Sequence, residues 1–310
     1  MFAYPCPTIS STNRPSIRFQ SARSPLPPTP STMFEAKFQK AVLLKKIIDA
    51  LKELVTDAPF DCAENAIQLQ AMDSSHVALV SLRLGAGLFD TYRCDRTLNL
   101  GLSLAQMQRA LKCANNDDTC SLRYDDDEGD SMMFTFVDEK HHRKQEITVK
   151  LLDIDAEHLG VPDTKYSAVL EMNSNDFRKV VGDLQNFGDT VSITVVKGQV
   201  TFETTGENGG NTVTFNSDDE VKAMDDEEDE EENGKEKEDR SVKLTVTEKV
   251  KLSFSIKYLN QFAKATILSP RVRLSMSGSV PVVVEYKIED DGFLKFYLAP
   301  KIDEDQEMDD

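Results

Sequence analysis

The chain has 310 residues, of which 39% are hydrophobic and 29% are charged, and its formal net charge at pH 7 is −18. This length is enough for two globular domains with hydrophobic cores, and the hydrophobic fraction, with only 14 Gly and 12 Pro, excludes a wholly disordered chain. No apolar run approaches the ~18 residues of a transmembrane helix, so neither a membrane-spanning helix nor a membrane partner is expected.

The negative charge is concentrated in two runs. Residues 218–240 hold fourteen acidic and four basic residues, and residues 302–310 hold six acidic residues and no basic one. Residues 1–32 carry three arginines and no acid, so the rest of the chain has a net charge of only −5. Because phosphates are bound by Lys and Arg, the location of the basic residues decides whether a nucleic acid is a plausible ligand, and the total charge does not.

Residues 1–32 contain seven of the twelve prolines and ten Ser or Thr residues. A segment of this composition buries too little apolar surface to fold by itself. We therefore expect a disordered N-terminal extension. An organellar transit peptide is the alternative, because the segment has arginines and no acid.

From Met33 onward, helical and strand-like patterns follow one another. Residues 41–55 place apolar side chains at helical spacing along one face. Strand-like runs follow at 66–70, 76–84 and 98–102, then a helix at 104–113 and strands at 119–124 and 132–137. After residue 168 the same order returns, with helices at 175–187 and 256–264.

This return is an internal repeat. A shift of 133 residues maps the apolar stripe of the first helix (Leu44, Ile47, Ile48, Leu51) onto that of the third (Phe177, Val180, Val181, Leu184). A shift of 152 residues does the same for the second and fourth helices, and the acidic segment around 218–240 explains most of the difference. Two halves that agree in order and spacing predict a duplicated α+β fold.

The resulting domain prediction has five parts. They are a disordered extension (1–32), a first domain (33–149), a connector (150–167), a second domain (168–301) with an acidic disordered insertion at about 217–240, and an acidic tail (302–310).

No catalytic motif is present. The sequence has no phosphate-binding loop, no G-x-S-x-G elbow and no H-E-x-x-H helix, and the acidic run 125–128 is interpreted as a solvated turn, with a magnesium site as the less favoured alternative. The five scattered cysteines form no Cys-x-x-Cys pair, which indicates a reducing, intracellular compartment. No catalytic residue, cofactor or metal ion is expected.

Basic residues occur on all four predicted helices, mostly off the apolar stripe. Because the chain as a whole is acidic, this bias favours a shared anionic partner, although each helix alone is explained by an ordinary solvated face. Lysines without interleaved aromatic residues contact phosphates and do not read bases, which predicts weak, salt-sensitive and sequence-independent contact with that partner. The basic residues concerned are Lys45, Lys46, Lys52, Arg109, Lys112, Arg178, Lys179, Lys257 and Lys264.

Five segments together resemble the proliferating cell nuclear antigen family of eukaryotic sliding clamps. They are QAMDSSHVALVSL (70–82), FDTYRCDR (89–96), LLDIDAEHLGVP (151–162), VPVVVEYKI (280–288) and LKFYLAPKI (294–302). The similarity covers 33 to about 302, apart from the acidic insertion. It implies the DNA-clamp fold, in which two duplicated domains each carry two helices on curved antiparallel sheets. Three such subunits join head to tail in a ring whose helices line a hole around double-stranded DNA. The resemblance therefore implies that the nine basic residues named above face the DNA.

The resemblance also implies how the subunits join. The edge strand of the first domain (about 142–149) is expected to pair with that of the second domain (about 208–215) of the next subunit, which makes Ile147, Val149, Asn211 and Val213 interface residues. Two positions depart from the family pattern: Gly182 replaces a usual arginine, and Ile147 replaces a frequent tyrosine.

Apolar residues from four distant segments are implied to form a pocket beneath the connector. The family's partners insert a short peptide there, with one aliphatic and two aromatic anchors. The implied lining is Met72, His76, Val77, Leu79, Leu159, Val161, Pro162, Val280, Pro281, Tyr297, Leu298, Ala299 and Pro300.

The implied function is that of a non-enzymatic processivity factor in DNA replication, repair and translesion synthesis. Its implied partners are DNA polymerase, the clamp loader, flap endonuclease and DNA ligase, its location is the nucleus, and Lys197 matches a lysine that carries ubiquitin-like modifiers. Three alternatives remain: a subunit of a heterotrimeric checkpoint clamp, an acidic chaperone-like protein for basic partners, and an undetected hydrolase.

Overall fold

In a computed structural model of the protein, the described residues are 33–154, 159–160, 164–207, 209–217, 241–278 and 280–301. The predicted N-terminal extension 1–32, the acidic segment 218–240 and the acidic tail 302–310 lie outside them. The same holds for Val161 and Pro162 of the predicted pocket.

The first half of the chain alternates strands with two helices. Its elements are β1 (Met33–Phe38), α1 (Ala41–Leu51), β2 (Asp57–Ala63), β3 (Ala66–Met72), β4 (Ala78–Gly85), β5 (Thr91–Cys94), β6 (Leu98–Ser103), α2 (Leu104–Lys112), β7 (Thr119–Asp125), β8 (Ser131–Asp138) and β9 (Arg143–Lys150).

The second half repeats this order. Its elements are β10 (Ala168–Asn173), α3 (Ser174–Leu184), β11 (Thr190–Val196), β12 (Gln199–Gly206), β13 (Gly209–Asn216), β14 (Lys243–Val246), β15 (Val250–Ser255), α4 (Ile256–Phe262), β16 (Arg271–Met276), β17 (Val282–Ile288) and β18 (Gly292–Leu298). The starts of α1 and α3 differ by 133 residues and those of α2 and α4 by 152. The predicted duplication is confirmed, and the spacing changes between β13 and β14, where the acidic segment lies.

Each half contributes two antiparallel sheets, and one sheet is shared. The orders are β5-β1-β7-β8-β9, β14-β10-β16-β17-β18-β4-β3-β2-β6, and β13-β12-β11-β15. The shared nine-stranded sheet exists because β18 of the second half pairs with β4 of the first. The strands β9 and β13 are left at sheet edges.

The helices lie against the sheets through their apolar stripes. In α1 the buried residues include Leu44, Ile47, Ile48 and Leu51, as the helical spacing predicts. The strands bury alternate residues in the same way, for example in β1 and β8. Among the described residues, no helix is long and apolar enough to span a membrane.

All four helices end earlier than predicted, and the difference is three residues or more in α1 and α3. The first stops at Leu51 and continues as a turn in which the amide of Val55 donates to the carbonyl of Leu51 at 3.1 Å. The third begins at Ser174, because the side chain of Asn173 accepts hydrogen bonds from the amides of Asn175 and Asp176, and it ends at Leu184.

Gly182 lies on the exposed face of α3, and a Cβ added there would meet no heavy atom within 4 Å. Glycine inside a helix costs about 0.5–1 kcal/mol relative to alanine. We therefore expect Gly182→Ala to raise the free energy of unfolding by about this amount. Urea unfolding followed by circular dichroism, at equal protein concentrations, measures the change.

Gly101 is the contrasting case. A Cβ there would lie 2.2 Å from the carbonyl oxygen of Leu152 in the connector. The two residues are already in contact, because the amide of Leu152 donates a hydrogen bond to the carbonyl of Gly101 at 2.9 Å. Gly101→Ala should therefore destabilise the protein. If Gly182→Ala and Gly101→Ala changed the free energy of unfolding by similar amounts in the same direction, this explanation of the two glycines would be contradicted.

Candidate functional site

The four helices bring the predicted basic residues onto adjoining surfaces. Helix α1 packs against α2, and α3 packs against α4. The two pairs meet where α1 contacts the 3-10 turn Ala263–Ile267, and there the side chain of Gln261 donates to the carbonyl of Glu53 at 3.1 Å. Basic side chains from both halves of the chain therefore belong to one connected helical layer.

Three of the nine predicted bases are held by protein groups. The ammonium of Lys45 donates to the carbonyl of Ala114 at 2.7 Å, so it closes the C-terminal end of α2. Lys52 pairs with Asp49 at 2.8 Å, and Lys264 pairs with Glu53 at 2.8 Å. The carboxylates offset the charge of Lys52 and Lys264, and the Ala114 carbonyl occupies a donor of the Lys45 ammonium without neutralising it.

The other six bases differ from these three in their surroundings. Lys46 is half-buried, whereas Arg109, Lys112, Arg178, Lys179 and Lys257 are exposed. Within the described part of the chain, none of the six forms an ion pair with a carboxylate. Lys257 lies with its ammonium 5.8 Å from the centre of the Tyr258 ring.

The apolar residues predicted from distant segments also come together. They line a cavity of about 300 Å³ on the outer face of the nine-stranded sheet, on the side opposite its buried core. Its floor is a row across three strands, because Leu79 on β4 pairs with Met72 on β3 and with Tyr297 on β18. The joint between the two halves therefore forms the floor of the cavity.

Most of the predicted pocket residues line this cavity. They are Met72, His76, Val77, Leu79, Leu159, Val280, Pro281, Tyr297 and Ala299. Val77 is 39% exposed and Leu159 is 37% exposed, so both present apolar surface to solvent. Exposed apolar surface around a cavity marks a binding site more often than isolated exposed residues do.

Two predicted pocket residues do not line it. Leu298 is fully buried and contributes to the core, because neighbouring strand residues face opposite sides of a sheet and Tyr297 faces outward. Its assignment to the pocket was wrong. Pro300 follows the last lining residue without being part of the lining.

The cavity has three lining residues that the sequence analysis missed: Gly160, Thr164 and Tyr166. Burial, with further contributions from Tyr166 and Glu285, raises the pKa of Tyr297 to about 12. The Tyr297 hydroxyl therefore stays protonated at neutral pH, and the floor carries no phenolate charge there.

The four predicted interface residues lie on the two edge strands. Ile147 and Val149 are on β9, and Asn211 and Val213 are on β13. Val149 is buried and the other three are half-buried. Phe187 follows α3 and lies beside Gly206 of β12, and its side chain is 45% exposed, which is unusual for a large aromatic residue.

Lys197 lies in the two-residue turn between β11 and β12, and it is exposed. The amide of Ser217, the last described residue before the acidic segment, donates to the carbonyl of the adjacent Gly198 at 2.7 Å. Because Lys197 is exposed in this turn, its ammonium is accessible at the surface.

The chain matches known proteins along nearly all of its described length. A family model for the proliferating cell nuclear antigen N-terminal domain matches residues 33–158, and one for the C-terminal domain matches residues 160–301. Proliferating cell nuclear antigen of Caenorhabditis elegans is 57% identical over 281 residues, which cover 89% of this chain and all of that protein. The chain belongs to the proliferating cell nuclear antigen family.

Membership in the proliferating cell nuclear antigen family confirms the predicted fold class and the predicted function as a DNA sliding clamp in replication and repair. It does not favour the checkpoint-clamp or acidic-chaperone alternatives. Within the described ranges, no group of three or more His, Cys, Asp or Glu side chains is placed to hold a metal ion.

Proposed function

We propose that three copies of this chain close head to tail around duplex DNA, and that the apolar cavity on each copy docks a peptide of a replication or repair protein. Each copy would use a first domain (33–149) and a second domain (168–301) joined by the connector 150–167. The observation that carries the proposal is the pairing of β4 with β18 while β9 and β13 remain at sheet edges.

The repeat relates these four strands. The strands β9 and β18 are each the last strand of their half, so they correspond to each other. The strands β4 and β13 are each the fourth strand of their half, so they correspond as well. Because β18 and β4 form the joint within one chain, β9 of one subunit and β13 of the next would repeat that joint between chains. One heterologous contact of this kind generates a closed ring when its rotation fits, and it also covers two exposed strand edges.

The strand registers extend this argument to single residues. Within the chain, Phe296 of β18 faces Val80 of β4. The β8–β9 and β12–β13 registers give Ile147 and Asn211 as the corresponding positions. We infer that Ile147 lies opposite Asn211 of the next subunit.

The same correspondence accounts for Phe187. Its counterpart in the first half is Leu54, which follows α1, packs against the core and is next to Glu53, a residue that accepts hydrogen bonds from Gln261 and Lys264 of the second half. The end of α2 corresponds to the region of Gln261 and Lys264 in the second half, and both of these side chains donate hydrogen bonds to Glu53. The exposed ring of Phe187 would therefore be covered by α2 of the neighbouring subunit.

The helical layer would line the hole of the ring. The six bases without an ion pair to a described carboxylate would touch phosphates from all four helices, and none is accompanied by an aromatic platform for bases except Lys257 beside Tyr258. Such contacts are weak and independent of sequence, so they allow the ring to move along DNA while its closure prevents release.

This gives a prediction for salt dependence. We expect the double variant Arg178→Ala, Lys179→Ala to bind DNA more weakly. The plot of log K, where K is the association constant for DNA, against log salt should become shallower, with a slope less negative by about 1–2, since each lost phosphate contact removes about 0.9. Fluorescence anisotropy with a labelled duplex at several salt concentrations measures the slope.

The control for this prediction removes the same charge elsewhere. Lys251→Ala, Lys287→Ala takes two exposed lysines from the strands β15 and β17. It should leave the slope unchanged. Equal slopes for both double variants would mean that the helices have no special role in contacting DNA.

The finer assignments are also part of the proposal. DNA polymerase, the clamp loader, flap endonuclease and DNA ligase would compete for the cavity, and the protein would act in the nucleus. Lys197 would accept a ubiquitin-like modifier, which its exposure in a hairpin turn supports.

Topological tethering is tested on linear DNA with free or blocked ends. The protein, loaded onto DNA, should be lost from free-ended DNA and retained when both ends carry bulky blocks, and light scattering should give the mass of three chains. Equal retention on both DNAs would contradict encirclement, and trimers that form only with other chains would favour the checkpoint clamp. Deletion of 218–240 and 302–310 should spare retention, whereas an acidic chaperone would lose its activity.

A further inference from the structure

The loop between β3 and β4 forms one rim of the cavity, and a single carboxylate organises it. Asp73 is only 6% exposed. One of its oxygens accepts hydrogen bonds from the amides of Val77 and Ala78, both at 2.8 Å, and the other accepts from the amide of Ser75 at 3.0 Å. These bonds explain why β4 begins at Ala78 and not at His76, where the sequence pattern predicts it.

A fourth hydrogen bond to this carboxylate comes from the other half of the chain. The hydroxyl of Tyr258, on α4, donates to Asp73 at 2.8 Å. Burial alone would raise the pKa of Asp73, but the hydrogen bonds from Ala78, Tyr258, Ser75 and Val77 outweigh it and hold that pKa below its usual range. The carboxylate is therefore ionised at neutral pH, and a hydrogen bond to an ionised acceptor is stronger than a neutral one.

The residues that this network holds are cavity residues. His76 and Val77 line the cavity, and His76 has a φ of 56°, a left-handed conformation that a histidine rarely adopts without support from its surroundings. The carbonyl of Val77 accepts a hydrogen bond at 3.3 Å from the amide of Ala299, which also lines the cavity. Displacement of the loop would therefore change the rim and its contact with the β18 end of the cavity.

We propose that Tyr258 is a positioning residue for the cavity. Its hydroxyl completes the set of donors around Asp73, so the helix that carries it fixes the rim formed by His76 and Val77. The inference rests on the proposed function of the cavity as a peptide-docking site. It adds a residue that lies outside the cavity lining and acts on it through its hydroxyl, which bonds to Asp73 and also to the side chain of Ser75 in the same loop.

The test uses the full chain and a fluorescent synthetic peptide with one aliphatic and two adjacent aromatic side chains. Tyr258→Phe removes the hydroxyl and keeps the ring. We expect it to weaken peptide binding about three- to tenfold, which is less than the full effect of losing a hydrogen bond to a charged group, because the hydroxyl contacts the loop and not the peptide. Asp73→Ala removes the acceptor and should weaken binding further, and adding Tyr258→Phe to Asp73→Ala should have no additional effect, because the hydroxyl then has no carboxylate to bind.

A second readout separates positioning from general stability. Hydrogen exchange at the amides of Ser75, Val77 and Ala78 should accelerate in Tyr258→Phe, while the midpoint of global unfolding stays that of the wild type. Tyr124→Phe is the matched control, because the Tyr124 hydroxyl also bonds to an aspartate, Asp126, and neither residue lines the cavity. It should leave both peptide binding and loop exchange unchanged.

Two kinds of failure are distinguishable. Met72→Asp places a charge in the cavity floor and must abolish binding if the peptide occupies the cavity. Wild-type protein that does not bind, or Met72→Asp that binds equally well, would overturn the proposed function and this inference with it. Binding that depends on Met72 but is unchanged in Tyr258→Phe, or exchange that accelerates throughout the protein in that variant, would overturn only the positioning role.

Discussion

Replacing Ile147 with glutamate should convert the trimer into monomers. In the joint within the chain, the positions corresponding to Ile147 and Asn211 are Phe296 and Val80, and both of these are fully buried. A carboxylate at Ile147 would be buried at the subunit contact without a partner, which costs roughly 3 kcal/mol or more for each interface. That is a weakening of at least about 100-fold per contact. Light scattering over a range of concentrations measures it.

Thr148→Glu provides the control, because it makes the same chemical change one residue further along the same strand. Thr148 is exposed on the face of β9 opposite to Ile147, and its counterpart Tyr297 faces outward. Thr148→Glu should remain trimeric and stay on end-blocked DNA, whereas Ile147→Glu should lose both properties. If Ile147→Glu stayed trimeric, or both variants fell apart, the inferred register between β9 and β13 would be incorrect.

The repeat and the helices could be predicted from the sequence because both depend on local spacing. The stripe of Leu44, Ile47, Ile48 and Leu51 needs no knowledge of its neighbours to indicate a helix. In contrast, β2 contains Pro59 and β5 has only four residues, so neither gives a clear alternating pattern. These strands form because partners elsewhere in the chain hold them.

The candidate site was predictable as a set of residues but not as a geometry. The row that joins Met72, Leu79 and Tyr297 requires the register between β4 and β18, which are about two hundred residues apart in sequence. The engagement of Lys45 by the Ala114 carbonyl likewise depends on how α1 and α2 pack. Strand alternation could have excluded Leu298 from the pocket, since its neighbour Tyr297 faces outward.

Leu79→Asp should abolish peptide binding while leaving the ring intact. Leu79 lies in the middle of the cavity floor, between Met72 and Tyr297, and the lining around it is mainly apolar. A docked peptide would strip water from the new carboxylate and give it no cation, so we expect the affinity to fall at least about 30-fold, the scale of a binding hot spot. Anisotropy of the labelled peptide measures the loss, and light scattering checks that the variant is still trimeric.

The control, Ser81→Asp, separates the floor of the cavity from the sheet that carries it. Ser81 is on the same strand and the same face as Leu79, but it pairs with Gln70 and Lys295 and does not line the cavity. A carboxylate there would lie beside the ammonium of Lys295, so it should be tolerated, with peptide affinity near that of the wild type. If Ser81→Asp lost binding as severely as Leu79→Asp, negative charge on this face would itself repel the peptide, and the apolar floor would not be the feature that binds it.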